Sequence, residues 1–259
     1  MLIIKYITAV LEADWDKLTF DQVEIIDIHH YTERLFSFRT ERPPTHRFNA
    51  GEFTMLSLDG KLKRAYSYTS GPHDDYLEFY SVNIPDGQFT SELSQMLVGD
   101  EIMIGRKPTG SLLLTNLEPP TELAKNLWLF ATGTGIAPFI SLLRDPYTFE
   151  LYREGCVFVV WSVSNKADLM AFDTFLGDEA DILYYPIVTK EPWYDNDRIT
   201  SVIEKDHTMK WISPANSRIM ICGNMNFNLD MKTILESRGF KEGSSNDSGT
   251  YVLERAYVG

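Results

Sequence analysis

The chain has 259 residues, 44% of them hydrophobic, and its formal net charge is −13. This length suits two domains with packed cores, and the acidic balance argues against general binding to nucleic acid or to an anionic membrane surface. Cys156 and Cys222 lack a paired spacing, and the five histidines show neither metal-ligand nor triad spacing. The sequence therefore predicts no disulfide framework, no metal site and no iron–sulfur centre, and we expect a protein of the reducing cytoplasm.

The first half of the sequence has the pattern of an antiparallel β-barrel. Residues 1–10, MLIIKYITAV, favour a strand over a secretory signal, because Lys5 interrupts the apolar run and acidic residues follow it. No run approaches the roughly 18 apolar residues that would span a bilayer. Short alternating segments with turn residues between them follow. The predicted strands are residues 22–28, 35–39, 53–58, 65–69, 77–82 and 101–104, and residues 89–97 are predicted to form a short helix.

Residues 34–64 are locally basic inside this acidic chain. Seven Lys or Arg residues stand there against three acidic residues, a local net charge of +4. The basic residues are Arg34, Arg39, Arg42, Arg47, Lys61, Lys63 and Arg64. The segment is either an ordinary solvated surface or a docking face for an acidic partner.

The pattern changes after residues 117–121, LEPPT, which are typical of a linker. Apolar runs then alternate with helix-like stretches, as in a parallel sheet with helices on both faces. The predicted strands are residues 127–131, 157–163, 182–189, 218–222 and 251–258, and the predicted helices are 136–143, 167–176, 199–210 and 226–238. We therefore expect a two-domain β plus α/β protein, with an antiparallel Greek-key β-barrel in residues 1–118 and a parallel-sheet nucleotide-binding α/β domain in residues 119–259.

The most informative motif is LWLFATGTGIAPF at residues 127–139. A buried strand, the turn Thr132-Gly133-Thr134-Gly135 and an apolar helix predict a cradle for dinucleotide phosphates, because glycines admit a close backbone approach and a helix N-terminus offers free N–H groups. Pro138 stands where the third glycine of G-x-G-x-x-G would be, so the ordinary fingerprint fails. The alternative is a strand-to-helix turn whose glycines serve geometry only.

A second motif, RAYSYTS at residues 64–70, has the alternation of a strand. Arg64, Tyr66 and Tyr68 would share one face, with smaller residues on the other. A guanidinium beside an aromatic plane suits a cofactor that has a phosphate and a flat ring. Alternation with aromatic residues is also ordinary strand sequence, so the motif alone leaves both interpretations open.

Four motifs in this order resemble the bacterial ferredoxin/flavodoxin–NADP⁺ reductases: RAYS at 64–67, GTGIAPF at 133–139, ICGN at 221–224 and ERAYV at 254–258. RKPTG at 106–110 also looks like the segment that precedes the inter-domain link in that family. The resemblance covers nearly the whole chain and implies an FAD-binding barrel followed by an NADP-binding α/β domain. It implies an enzyme in which NADPH reduces FAD by hydride transfer and a carrier protein takes the electrons singly.

The resemblance also implies where FAD binds. Arg64 would contact the pyrophosphate, Tyr66 would lie against the isoalloxazine ring, and Ser67 would sit near its N5 atom. A short helix start at Thr90 and Ser91 would offer N–H groups to phosphate oxygens, with simple helix capping as the alternative. The implied FAD-binding residues are Arg64, Ala65, Tyr66, Ser67, Tyr80, Val82, Gly87, Phe89, Thr90, Ser91, Ala256 and Tyr257.

The resemblance also implies where the nicotinamide nucleotide binds. The implied contacts are Thr132, Gly133, Thr134, Gly135, Lys190, Arg198, Cys222 and Gly223, and the candidate catalytic residues are Ser67, Cys222, Glu254 and Ala256. By resemblance, Ala256 would face the isoalloxazine, Tyr257 would pack near the adenine, and Glu254 would relay protons. Without the resemblance, Cys222 would be a small core residue, Tyr257 an ordinary strand aromatic and Glu254 a surface charge.

Two departures from the family concern the 2′-phosphate of NADP. Ser164 and Lys190 stand where family members usually have arginines, and lysine acts as a point charge where arginine forms a bidentate fork. Arg198 is retained, and Lys166 is a possible substitute. We therefore expect a preference for NADPH that is weaker than usual.

Partners follow from the same resemblance. Because the chain has no cysteine cluster, one-electron output would go to a separate acidic ferredoxin or flavodoxin, which would dock on residues 34–64 of a monomer. One alternative is an NAD(P)H-dependent flavin reductase or the reductase component of an oxygenase. Another is a non-catalytic flavin- or nucleotide-binding redox sensor, which would bind cofactor yet pass electrons slowly.

Overall fold

The computed structural model describes residues 19–172, 182–193, 197–206 and 209–255. The strand predicted in residues 1–10 lies outside these ranges, as do Ala256, Tyr257 and the end of the helix predicted at 167–176. The described residues form two sheets in succession. Among them, no helix is long and apolar enough to cross a lipid bilayer.

The first sheet is antiparallel and curls into a barrel. Its strands are β1 (Phe20–His30), β2 (Leu35–Glu41), β3 (Phe53–Ser57), β4 (Lys63–Ser67), β5 (Tyr76–Val82) and β6 (Glu101–Gly105). They pair in the order β4-β3-β6-β1-β2-β5. The two outer strands meet through an antiparallel bridge between Tyr68 and Phe79. The sheet thus encloses a core that includes Ile25, Phe38 and Leu56, and β4 is brought beside β5.

Helix α1 (Thr90–Leu93) is shorter than the helix predicted over residues 89–97. Phe89 and Leu93 are buried in the barrel core, whereas Leu97 and Val98 are exposed. The chain then turns at Gly99, whose φ is +98°. Met96 still packs against the core after this turn, but Leu97 and Val98 do not, so the core supports a shorter helix than predicted.

The second sheet is parallel, as the alternating pattern predicts. Its strands are β7 (Asn126–Thr132), β8 (Val157–Val163), β9 (Ile182–Val188), β10 (Ser217–Gly223) and β11 (Tyr251–Arg255). The order β11-β10-β7-β8-β9 changes direction between β7 and β10. In open parallel sheets, ligands bind outside the carboxyl ends of the strands at such a point. The glycine turn that follows β7 lies there.

Helices cover both faces of this sheet. They are α2 (Ala137–Arg144), α3 (Pro146–Leu151), α4 (Ile199–Lys205) and α5 (Met225–Ser237). Helix α3 is absent from the sequence prediction; Asp145 begins it by accepting a hydrogen bond from the Tyr147 N–H (3.1 Å). The helix predicted over 199–210 ends at Lys205, because Asp206 leaves the helical conformation and its carboxylate accepts the Met209 N–H of the next turn.

The predicted linker is a packed connection. Leu117 is buried, and the Glu118 N–H donates to the Gly249 carbonyl oxygen at 2.7 Å. Arg218, itself buried, donates from Nε to the Glu118 carbonyl oxygen at 2.9 Å. The fold class predicted from sequence, a β-barrel followed by a parallel α/β unit, is confirmed. The boundary between residues 118 and 119 stays a prediction.

Candidate active site

Two clefts meet at the glycine turn. One, of about 490 Å³, lies between the barrel and the second sheet and is lined by Tyr80 and Val82 on one side and by Gly133 and Thr134 on the other. The second, of about 440 Å³, lies at the carboxyl edge of the sheet and is polar. It shares Gly133 and Thr134 with the first cleft and contains Arg198. One turn therefore borders both spaces.

The two glycines of the turn have different roles. Gly133 has φ +53°, and no heavy atom lies within 4 Å of the position of a Cβ there, so its surface is open. A Cβ on Gly135 would lie 2.3 Å from the Cys222 carbonyl oxygen. From the sequence, both glycines are expected to border the pyrophosphate. In the structure the packing of the turn Gly133–Ile136 against β10 requires a glycine at position 135, whereas the space beside Gly133 is open.

Cys222 and Gly223 end strand β10, beside β7, but the thiol is not exposed. Cys222 is 2% exposed and belongs to the apolar core. Burial raises the pKa of its thiol, and the charge of Glu254 raises it further. A Cβ on Gly223 would lie 2.3 Å from Thr132 Oγ1 and 2.5 Å from the Phe227 ring. The end of β10 therefore needs a glycine for packing, and the thiol is protonated at neutral pH.

The strand with the RAYS motif is β4. Tyr66 packs against the barrel phenylalanines Phe38, Phe79 and Phe89, with ring centroids 5.8–6.4 Å apart. Its hydroxyl lies 2.9 Å from Ser81 Oγ on β5, and burial raises its pKa to about 12. This aromatic face thus stabilises the barrel, the structural role that the strand pattern by itself also allows. If a flavin binds beside β4, the Tyr66 ring would contact both the flavin and the barrel core.

The expectation for Thr90 and Ser91 needs a correction. The Ser91 N–H donates to the Gly87 carbonyl oxygen (3.1 Å), so it is not free for a phosphate. Thr90 Oγ1 accepts the Ile84 N–H (3.1 Å), and the Ser91 hydroxyl donates to the Ile84 carbonyl oxygen (3.2 Å). Both hydroxyls therefore fix the loop before α1, and neither caps the helix, because Phe89 is its N-cap residue and no side chain accepts a capping hydrogen bond there. The Thr90 N–H makes no hydrogen bond to the described residues.

Glu254 is a buried carboxyl group and not the surface charge that its sequence context suggests. It is 9% exposed. Its Oε2 accepts hydrogen bonds from the N–H (2.7 Å) and hydroxyl (3.1 Å) of Ser111, in the barrel half of the chain. Burial raises its pKa to about 7, opposed by the Ser111 hydrogen bonds and supported by the charge of Glu52. At neutral pH this group can both hold and release a proton.

The cations predicted for the 2′-phosphate lie in different clefts. Arg198 precedes α4 and lines the polar cleft. Lys190 is exposed and lines the interdomain cleft together with Asp168. Ser164 borders both clefts. Lys166 lies over the Trp193 ring at 5.4 Å. Among the lining residues that the structure describes, Arg198 is the only Lys or Arg of the polar cleft.

Comparison with known proteins identifies the family. Residues 129–232 match the family described as oxidoreductase NAD-binding domain. Ferredoxin–NADP reductase A of Sorangium cellulosum is 37% identical over 259 residues, covering 93% of this chain and 91% of the relative. The flavodoxin/ferredoxin–NADP reductase of Rhodobacter capsulatus is 38% identical over 263 residues, 94% of this chain and 95% of the relative. This chain belongs to the ferredoxin/flavodoxin–NADP reductase family.

A solved member of this reductase family has the same fold. The ferredoxin NADP⁺ reductase of Neisseria gonorrhoeae, with bound FAD and NADP, superposes with a TM-score of 0.83 at 28% identity, covering 92% of this chain and 99% of that one. The family resemblance inferred from the motifs is therefore confirmed. The ferredoxin reductase of carbazole 1,9a-dioxygenase, at 17% identity and a TM-score of 0.74, shares the fold.

Sequence reasoning missed two residues that hold this reductase's site together. Trp161 Nε1 donates to the Gly133 carbonyl oxygen at 2.9 Å and so fixes the open glycine. Ser111 binds Glu254 as described above. Both had a signal: a buried tryptophan needs an acceptor for its N–H, and Ser111 directly follows the RKPTG motif.

Proposed function

We propose that this chain is an FAD-dependent ferredoxin/flavodoxin–NADP⁺ reductase that moves electrons between NADP(H) and a one-electron carrier protein. The observation that carries the proposal is the glycine turn that borders both an interdomain cleft and a polar cleft at the carboxyl edge of the sheet. Relatives 37–38% identical over nearly the whole chain bear the name of this reaction.

The barrel residues fit an FAD pyrophosphate. The Arg64 guanidinium donates to the neighbouring Lys63 carbonyl oxygen (3.1 Å) and to no carboxylate among the described residues. Its positive charge is therefore available to a phosphate. The Thr90 N–H, free among the described residues, is a further donor. We place the flavin beside Tyr66 and Ser67 on β4.

The polar cleft fits a phosphorylated nucleotide. Gly133 is open to a ligand, and the turn Gly133–Ile136 begins at this cleft, with Gly133 and Thr134 among its lining residues. Arg198 has no acidic partner among the described residues, so its fork is available to the 2′-phosphate. Asp230 lines the same cleft and opposes a second negative charge near it. Because the cleft holds one arginine and one opposing carboxylate, we expect a preference for NADPH over NADH that is weaker than usual in the family.

When bound, FAD supplies a ring that takes a hydride from NADPH and releases electrons singly. The chain's own residues bind and orient. Gly133 and Arg198 would hold the nucleotide phosphates, and Arg64 would hold the flavin pyrophosphate. Glu254 would hold a proton at Oε1, because Oε2 accepts the two Ser111 hydrogen bonds and its pKa of about 7 matches neutral pH. We place Cys222 at the nicotinamide end through its backbone, since its thiol is buried.

An anaerobic titration of the purified protein with NADPH and then NADH tests the proposal. The flavin absorption bands should bleach with NADPH at a lower nucleotide concentration than with NADH, and added ferredoxin should then restore them. In Arg198→Gln the ratio of kcat/KM for NADPH over NADH should fall about tenfold, the loss of one charge-assisted hydrogen bond. Lys190→Gln, in the other cleft, is the matched control and should change the ratio less. A protein that takes up no FAD would refute the function.

The carrier is proposed to dock on the exposed cations of residues 34–64. Two cations of this segment already have partners within the chain and are less available to a carrier. Arg39 is paired with Glu78 (2.7 Å), and Arg42 donates to the carbonyl oxygens of His46, Pro72 and Asp74. Arg47 and Lys61 are exposed and are the candidates that remain for an acidic carrier, together with Arg34.

Charge reversal at the remaining cations tests the docking surface. Ferredoxin reduction by Arg47→Glu and Lys61→Glu should become slower and less dependent on salt, since steering between opposite charges is lost. Arg153→Glu, exposed outside the segment, is the control. A wild-type rate that does not change with ionic strength would contradict this docking surface.

We further propose a monomer in the cytoplasm. Both cysteines are free thiols, which suits a reducing compartment. Light scattering should give the mass of one chain, 29.7 kDa plus FAD. A mass of two chains would contradict the proposed monomer.

A further inference from the structure

One short helix connects the two cofactor-binding segments. Helix α2 begins directly after the turn Gly133–Ile136 and ends at Arg144, where it packs on residues 69–71, the continuation of strand β4. Eight helical residues span about 12 Å as a rigid rod. The nucleotide turn is therefore attached to one end of α2, and the extension of the flavin strand is attached to the other.

The attachment at the second end is a buried polar network. The Ser141 hydroxyl, fully buried, donates to the Ser70 carbonyl oxygen at 2.7 Å. Arg144 Nη1 donates to the Thr69 carbonyl oxygen (3.0 Å) and to Glu78 Oε2 (2.5 Å). Glu78, 2% exposed, also accepts the Thr69 hydroxyl (3.0 Å).

Two further contacts complete the attachment. Glu78 Oε1 accepts a hydrogen bond from Arg39 at 2.7 Å. A Cβ on Gly71 would lie 3.2 Å from the Arg144 carbonyl oxygen, so the loop lies directly against the helix end. We call Ser141, Arg144 and Glu78 the interdomain clamp.

The free energy of unfolding that a buried ion pair contributes is too small to explain why this clamp is present. Burying an ion pair removes two charges from water, and the attraction between them often does no more than offset that loss. A network in which each member has directed partners fixes geometry instead, because no other arrangement satisfies all of its groups. The clamp therefore determines where α2, and with it the nucleotide turn, lies relative to β4.

We propose that Ser141, Arg144 and Glu78 are positioning residues that set the distance between the nicotinamide and the flavin. The inference rests on the proposed function, since it needs both rings to be bound. Transfer of a hydride requires the reacting atoms at near-contact distance, and a displacement of about 1 Å far from the chemistry can slow a reaction about a hundredfold. The clamp does not touch either proposed phosphate site, so its loss should affect transfer more than binding.

Stopped-flow reduction of the FAD-loaded protein by NADPH separates these effects. In Arg144→Gln the limiting rate of flavin bleaching at saturating NADPH should fall about tenfold, while the NADPH concentration for half-maximal rate stays within about twofold. The long-wavelength charge-transfer absorbance of the nucleotide–flavin pair should weaken in parallel. Arg144→Lys, which keeps the charge, should recover part of the rate. Arg153→Gln is the control, because this exposed arginine lies outside the clamp and its ion pair among the described residues is with its neighbour Glu154 at 3.8 Å.

A second variant, Ser141→Ala, and a second measurement, hydrogen exchange, test the same inference independently. Ser141→Ala removes one hydroxyl, so it decides the matter if Arg144→Gln does not fold. Hydrogen exchange, followed by mass spectrometry, should become faster in residues 69–78 and 137–144 of either variant. Limiting rates within about twofold of wild type in both variants, or weaker NADPH binding at an unchanged limiting rate, would overturn the inference. A wild-type flavin that neither nucleotide reduces would instead refute the proposed function itself.

Discussion

Replacing Glu254 with glutamine should change how the free energy of unfolding depends on pH. Burial raises the pKa of Glu254 from 4.5 to about 7 in the folded protein. Between these values the folded protein binds more protons than the unfolded chain, so the free energy of unfolding falls as pH rises. The stabilising contribution of the protonated group is complete below about pH 4.5 and is lost as pH passes through 7.

The magnitude follows from the same pKa. The rise from 4.5 to about 7 is about 2.5 units, which corresponds to about 3 kcal/mol at 1.36 kcal/mol per unit. Glutamine has nearly the same shape, can accept the Ser111 N–H and does not ionise. The free energy of unfolding of Glu254→Gln minus that of wild type should therefore rise from near zero at about pH 4.5 to about 3 kcal/mol at about pH 8.

Urea unfolding at closely spaced pH values measures this difference. Both proteins should be unfolded at the same free FAD concentration, and the FAD Kd of each should be measured at each pH so that stabilisation by the ligand can be subtracted. Glu122→Gln is the matched control, because Glu122 is exposed and the substitution removes a carboxyl group of the same kind away from Ser111. A difference for Glu254→Gln that stays constant over the whole range would show that the folded protein does not hold this carboxyl group protonated.

Three further predictions concern packing around the site. Gly135→Ala should destabilise the chain by about 1 to 3 kcal/mol, because the new Cβ would lie 2.3 Å from the Cys222 carbonyl oxygen; an unchanged urea midpoint would contradict this packing. A thiol reagent should modify Cys156 quickly and Cys222 only after denaturation, since Cys156 is exposed and Cys222 buried, and two fast thiols in the native protein would show that β10 is open. Tyr66→Phe should lower the free energy of unfolding by about 1 kcal/mol, because the hydrogen bond to Ser81 is lost. Urea denaturation measures the change, and an unchanged midpoint would show that the hydroxyl does not stabilise the barrel.

The local sequence was a good guide to the elements, because each strand carries its own pattern. The alternation of polar and apolar residues in the first half gave the six antiparallel strands, and the apolar runs of the second half gave the five parallel ones. The predicted ends of helices and strands were less accurate than their positions. The helix predicted over 199–210 stops at Lys205, because the side chain of Asp206 caps the following turn instead of continuing the helix.

The roles of single residues depended on long-range contacts that no local pattern contains. Gly135 and Gly223 are predicted to contact the nucleotide, and only the structure shows that packing between β10 and its neighbours also requires glycine at both positions. Ser91 looked like a phosphate donor, but its N–H is already bound to Gly87. Arg42 looked like a docking cation and is held by backbone carbonyl groups.

The sequence by itself determined the two-domain order, the glycine turn and the family, because strand period, turn residues and motif order are properties of neighbouring residues. Only the tertiary structure decided which groups are buried and what they touch. Glu254 lies 143 positions from Ser111, and Arg144 lies 66 from Glu78. These pairs are brought together by the closing of the barrel against the parallel sheet. Burial in that closed structure, and not the residue type, is what raises the pKa of Glu254 and fixes α2 between the two cofactor segments.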